Sequence, residues 1–169
     1  MGTVTPMPKS IKILINNNFM KKVNYYHYTP ECRLPEILKS KNILLIKTHI
    51  QGKEKPCAWV STNQVWENTA TKMAYSPSDN QLIQLDFEQQ LEKFGCARIQ
   101  VKPTNLLSWE KLKNTGQIDS VVANGYEQAG KKMGGNPNQW YGSLAPIHIN
   151  DWIKIEVYRN GEWILVQKI

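Results

Sequence analysis

Apolar and polar side chains alternate along residues 23–29 and again along residues 57–62, the period-two pattern of strands with one buried face. In the second segment Cys57, Trp59 and Ser61 share one face, and Ala58, Val60 and Thr62 share the other. Residues 10–15 (S-I-K-I-L-I) read as an earlier strand, closed by Asn16-Asn17-Asn18. After Pro30 the period changes: Leu34, Ile37 and Leu38 fall at helical spacing, and Ser40-Lys41-Asn42 stops the helix. Residues 43–47 read as a short strand before a polar loop at 48–55, and residues 63–73 as a loop running into a helical turn. Residues 81–87 and 97–102 are strand candidates, divided by the charged helical piece 88–93 and a stop at Gly95. Helical patterns follow at 106–113 and 118–133, the second interrupted by Gly125 and Gly130 and so readable as two short helices. Gly134-Gly135-Asn136-Pro137 breaks the chain before strands at 139–144, 152–158 and 162–167. Asn160-Gly161 between the last two is a strong hairpin signal. About eight strands and three or four helices, mixed and not strictly alternating, predict an α+β fold.

The 169 residues predict a single domain spanning 1–169, able to bury about two thirds of its unfolded surface. No window approaches the ~20 apolar residues of a membrane-spanning helix. Residues 1–10 carry one lysine, two prolines and no apolar core, so neither a signal nor a transit peptide is expected, and the reading is cytoplasmic. Cys32, Cys57 and Cys96 show no metal-ligand spacing, and only His27, His49 and His148 are available to complete a site. This argues against a disulfide framework and against a metal centre. The net charge of +7 is spread over lysine clusters at 21–22, 53–55, 111–113 and 131–132. Such a surface attracts polyanions, which permits a nucleic-acid partner and equally serves solubility.

Three short constellations carry candidate chemistry. His27 and Thr29 lie on the same face of one strand, beside Tyr25, Tyr26 and Tyr28, and an imidazole with a neighbouring hydroxyl suits the hydroxyls of a ribose. Trp59 and Ser61 place a stacking ring beside a hydrogen-bonding group, and Trp66-Glu67 adds a ring and a carboxylate just beyond. Core packing accounts for Trp59, and a helix N-terminal role for Glu67, about as well. Gln139-Trp140-Tyr141 opens a strand after the Gly-Gly-Asn-Pro break. Phosphate-binding Gly-x-Gly-x-x-Gly and Gly-Lys-Ser/Thr loops and a Gly-x-Ser-x-Gly elbow are all missing from the sequence, which disfavours kinase, dehydrogenase and α/β-hydrolase chemistry.

In this order the three constellations resemble the motifs of the ADP-ribosyltransferase superfold, and especially its nucleic-acid-directed branch. His27-Tyr28-Thr29 is similar to that family's ribose-holding His-x-Thr strand, and Trp59-Val60-Ser61-Thr62 to its nicotinamide-pocket strand. Gln139 stands where the family's catalytic glutamate opens a late strand. The resemblance implies two facing, mostly antiparallel sheets with peripheral helices, and NAD as substrate or ligand. It implies that His27 and Thr29 hold the adenosine-side ribose, that Tyr28, Trp59 and Tyr141 flank the nicotinamide, and that Ser61 orients it. Gln139 or Glu67 would contact the nicotinamide ribose. The implied reaction is transfer of ADP-ribose to a nucleic acid or a protein, as in a toxin. A neutral glutamine stabilises an oxocarbenium ion less than a carboxylate and cannot deprotonate a nucleophile. The missing charge therefore comes from Glu67 or Glu127, or the domain is a non-catalytic binder that sequesters an NAD-derived or cyclic nucleotide, as a counter-defence or immune-evasion protein does.

Overall fold

The computed structural model describes residues 23–47, 52–76, 78 and 80–169. The strand expected at 10–15, Lys21-Lys22 and His49 lie outside the described residues. The chain is α+β, with one antiparallel seven-stranded sheet at its centre. Its strands, in spatial order, are β11 (Glu162–Lys168), β10 (Trp152–Arg159), β6 (Cys96–Val101), β1 (Tyr25–Pro30), β3 (Ala58–Ser61), β8 (Trp140–Ser143) and β7 (Leu107–Ser108). Two small ladders flank it, β2 (Asn42–Ile43) with β9 (Ile147–His148) and β4 (Met73–Tyr75) with β5 (Leu82–Gln84). Where two facing sheets were expected, the seven strands are hydrogen-bonded into one continuous sheet.

That continuity hangs on very little. β1 pairs with β6 over its whole length, from Tyr25↔Val101 to Pro30↔Cys96, but with β3 only at Tyr26↔Ser61. Side chains replace the missing rungs: His27 Nδ1 lies 2.9 Å from the Trp59 carbonyl, and the Tyr28 hydroxyl donates to the Asn63 carbonyl at 2.6 Å.

Period-two alternation divides the sheet into two faces. One face buries Val60, Ala97, Ile99, Val101, Ile155 and Val157, with Leu34 of α1 (Leu34–Ser40) packed against them. The other face holds two aromatic clusters. Tyr26, Tyr28 and Trp66 join Phe87, Tyr158 and Trp163 beside α2 (Phe87–Phe94). Cys57, Trp109, Leu112 and Trp140 pack with Trp59 beneath α3 (Trp109–Thr115) and α4 (Ser120–Lys132).

The first aromatic cluster also contains a buried charge. Arg98 lies between the rings of Tyr26 and Trp163, its guanidinium carbon 4.2 and 4.3 Å from their centroids. Its Nε donates to Glu156 at 2.7 Å and its Nη1 to the Gln64 carbonyl at 2.7 Å. A guanidinium offers a flat cation whose faces suit aromatic rings and whose edge suits a carboxylate, so one side chain satisfies both sets of neighbours.

Several local expectations are corrected. Residues 118–133 do not split at their glycines: α4 runs unbroken because Gly130 makes room for a neighbour, and a Cβ there would fall on the Trp140 ring. The strands β4, β7 and β9 were not foreseen; each has only two or three residues, too few to show a period. The Asn160-Gly161 hairpin forms as expected, with both residues at positive φ (50° and 87°) and Arg159 opposite Glu162.

Replacing Arg98 by methionine keeps most of the packed length but strands Glu156 with Lys154 as its remaining cation. We expect a loss of about 3 kcal/mol, the low end for breaking a buried pair, in guanidinium unfolding. A change below about 1 kcal/mol would mean that the aromatic sandwich holds the face together without the charge.

Candidate functional site

A cleft of about 360 Å³ opens where β1 and β3 stop pairing, within the range of small-ligand sites. β1 contributes Tyr26, His27 and Tyr28, and β3 contributes Trp59, Val60 and Ser61. Trp140 comes from β8, Thr69 and Ala70 from the 3-10 turn Asn68–Ala70, and Tyr126 and Gly130 from α4. Lys72 supplies a cation. The three motif strands β1, β3 and β8 are thus immediate neighbours in the sheet, and residues from all three line one cavity.

His27 has a defined protonation state and tautomer. Burial, opposed in part by its bond to Trp59 and assisted by nearby Lys72, pushes its pKa down to about 4. The ring is therefore neutral at pH 7. A carbonyl only accepts, so Nδ1 must carry the proton that goes to the Trp59 oxygen, which leaves Nε2 with its lone pair. His27 thus presents an acceptor where the sequence suggested a donor: a ligand hydroxyl would donate to it.

Ser61 and Glu67 form the second polar centre, both buried. The Ser61 hydroxyl donates to Glu67 Oε2 at 2.7 Å, and Ser61 Oγ accepts from the Asn63 N–H at 3.1 Å. Glu67 Oε1 accepts from the Thr69 backbone N–H at 3.3 Å and from the Thr69 hydroxyl at 2.8 Å. Glu67 therefore caps the turn Asn68–Ala70 and at the same time holds the serine, which merges the two readings its sequence position allowed. Gly135 sits against it: a Cβ there would come within 3.2 Å of Glu67 Oε1.

Lys72 at the cleft is drawn below its ordinary pKa by desolvation and by the neighbouring Arg33 guanidinium. Among the described residues it makes no ion pair, whereas Arg33 is paired with Glu36 at 2.8 Å. This lysine is a charged cleft residue that sequence reading missed. A cation following a strand-and-turn motif is too common a signal to single out without knowing the path of the chain.

The other expected site residues are dispersed. Tyr28 lines the cleft, but its ring is part of the aromatic cluster, 5.2 Å from Trp66, and burial raises its phenol pKa. Thr29 is buried opposite Ala97, outside the lining, because β1 leaves the cleft after Tyr28. Tyr141 is turned by the pleat to the opposite face, where its ring meets Tyr25 edge-on at 5.1 Å, so Trp140 takes the place given to it. Gln139 closes the 3-10 turn Pro137–Gln139 and is not in the lining; its carbonyl accepts from the Thr62 N–H at 2.9 Å and ties β8 to β3. Glu127 accepts from Trp109 Nε1 at 2.7 Å and lies by Lys113 and Lys131, on α4 but away from the cleft.

No family model, curated protein or solved structure matches this chain. Among the described residues no helix is long and apolar enough to cross a membrane.

The depressed His27 pKa has a consequence for stability. Between pH 6.5 and about 4 the unfolded chain binds a proton on this imidazole that the native chain excludes. Stability contributed by His27 is therefore present above pH 6.5 and lost as pH falls through that window. The unfolding midpoint of the wild type should fall more steeply from pH 6.5 to 4 than that of His27→Gln. Parallel curves for the two proteins would mean that the imidazole titrates as if exposed.

Proposed function

We propose that this chain is an NAD-binding, ADP-ribosyltransferase-like domain whose cleft between β1 and β3 takes the nicotinamide-ribose end of the dinucleotide. The observation that carries the reading is the meeting of His27, Trp59 and Ser61 from neighbouring strands in one cavity, with Glu67 directly behind Ser61. The cavity, about 360 Å³, suits part of a dinucleotide, with the remainder extending past the rim. Trp59 offers a ring face to the nicotinamide, while His27 Nε2 accepts from a ribose hydroxyl. Lys72 draws the pyrophosphate.

If the domain is catalytic, the bond between the ribose C1′ and the nicotinamide nitrogen breaks and its electron pair leaves with the nicotinamide. A nucleophile on the acceptor bonds to C1′ and passes its proton to water. The net charge of +7 favours a nucleic-acid acceptor over an acidic protein.

A second reading, a non-catalytic binder of NAD or a derived or cyclic nucleotide, is favoured by one feature of the site. Both Glu67 oxygens are already engaged by Ser61 and Thr69, and Gln139 is outside the lining. Neither residue offers a free carboxylate to stabilise a developing positive charge.

Calorimetry with NAD and with cyclic ADP-ribose, coupled to an assay for released nicotinamide, separates the two. Release points to the transferase, and binding without release to the sequestering protein. His27→Ala should weaken NAD binding about 10- to 100-fold, the equivalent of one lost buried hydrogen bond, with an unchanged circular dichroism spectrum. Undiminished binding by that variant would remove His27 from the site, and no binding of either nucleotide by the wild type would end the nucleotide reading.

A further inference from the structure

We infer that Lys72 is the reactive amine of the cleft and captures, as an imine, an aldehyde or ketone carried on an apolar body. This goes beyond the nucleotide reading, in which Lys72 acts only as a cation, and stands or falls apart from it.

An imine needs a primary amine, and Lys72 supplies the one amine side chain among the described residues of the lining. Its neighbours are poor competitors for an electrophilic carbon. The Cys57 thiol is buried, and desolvation pushes its pKa up to about 12, so at neutral pH it is not the reactive thiolate. Ser61 is buried as well. Lys72 is exposed and lines the cavity, so a ligand can reach it. It makes no ion pair among the described residues, and no carboxylate occurs among those of the lining. Its backbone is held in place: the Lys72 N–H donates to Gln90 Oε1 at 2.9 Å, and its carbonyl accepts from the Leu85 N–H at 3.0 Å. The amine thus starts from a fixed stem.

A lysine is a nucleophile only when neutral, and its surroundings favour that form. Desolvation by crowded protein atoms, and then the Arg33 guanidinium, draw its pKa below the ordinary lysine value. Arg33 is itself paired with Glu36. His27, on the β1 wall, is neutral at pH 7 and brings no negative charge to hold the ammonium proton. In the reaction the amine lone pair bonds to the carbonyl carbon. Both nitrogen protons leave with the carbonyl oxygen as water, an imine remains, and water reverses the step. No electrons change hands, so no oxidant or reductant is needed. Leu44, Ile46 and Met133 line the same cavity as Trp59, which suits an apolar body behind the carbonyl.

The test uses benzaldehyde as the probe, with cyanoborohydride to reduce the imine to a stable benzylamine and peptide mass spectrometry to locate it. On the folded wild-type chain at pH 7, Lys72 should be labelled first, and it should keep that lead at pH 6. Glyceraldehyde, a polar aldehyde, should lose the preference and label exposed lysines alike. The preference should also be lost when the chain is unfolded in urea. Lys72→Arg keeps a cation but cannot form an imine, so the fast-labelled site should disappear from a chain with an unchanged circular dichroism spectrum. Labelling of Lys72 in the folded chain no faster than that of other exposed lysines would overturn the inference. So would the same preference in the unfolded chain, or equal selectivity with glyceraldehyde.

Discussion

The sheet of this protein is joined at its middle by one register pair, Tyr26↔Ser61, and the candidate site depends on that sparseness. A full ladder between β1 and β3 would pair the Trp59 carbonyl with backbone N–H groups and close the gap. The strands separate instead, and the orphaned carbonyls are satisfied from the side: Trp59 by an imidazole, Asn63 by a phenol. The same bonds that repair the gap fix the chemistry within it. Because His27 must donate through Nδ1, its other nitrogen can only accept. Tyr28, in turn, pins the start of the loop that carries Glu67.

A gap in a sheet is a weakness unless each half is held independently, and here each half has its own aromatic cluster. On the β1 side the Arg98 guanidinium is clasped between Tyr26 and Trp163 and tied to Glu156. On the β3 side Trp59, Trp109 and Trp140 pack ring against ring, with Trp59 and Trp109 centroids 5.9 Å apart. Residues of both clusters reach the lining: Tyr26 and Tyr28 from one, Trp59 and Trp140 from the other. The walls of the cleft are thus the edges of two rigid blocks, which is how a site built on sheet residues keeps its geometry without a bound ligand. Gly130 belongs to the same design, because any side chain there would displace Trp140 from its wall.

The parts of this arrangement that were legible in the sequence are those written in local pattern. Alternation placed Trp59 and Ser61 on one face and Val60 on the other, and Asn160-Gly161 marked the final hairpin. The change of period after Pro30 marked α1. The errors concern information that is not local. Tyr141 was assigned to the pocket by its nearness in sequence to Gln139, but its face depends on which strand β8 meets, and pairing with β3 puts Tyr141 beside Val60. The identification of Gln139 with a catalytic glutamate relied on its place before a strand, whereas its contribution here is a backbone carbonyl. Lys72 and the Trp140 ring could not be read from composition at all, since both matter only once α4 and the 67–72 segment are folded over β3.

Glu67 shows why a carboxylate near a site need not be its reactive group. A buried carboxylate must be given donors, and this one takes them from Ser61 and Thr69, residues that themselves line the cleft. Its influence is therefore transmitted through the hydrogens it has claimed: Ser61 and Thr69 both commit their hydroxyl protons to it. With His27 Nε2 as an acceptor, the Lys72 cation is the charged group of the lining. Under the proposed nucleotide reading, ribose hydroxyls are the donors that this lining would meet.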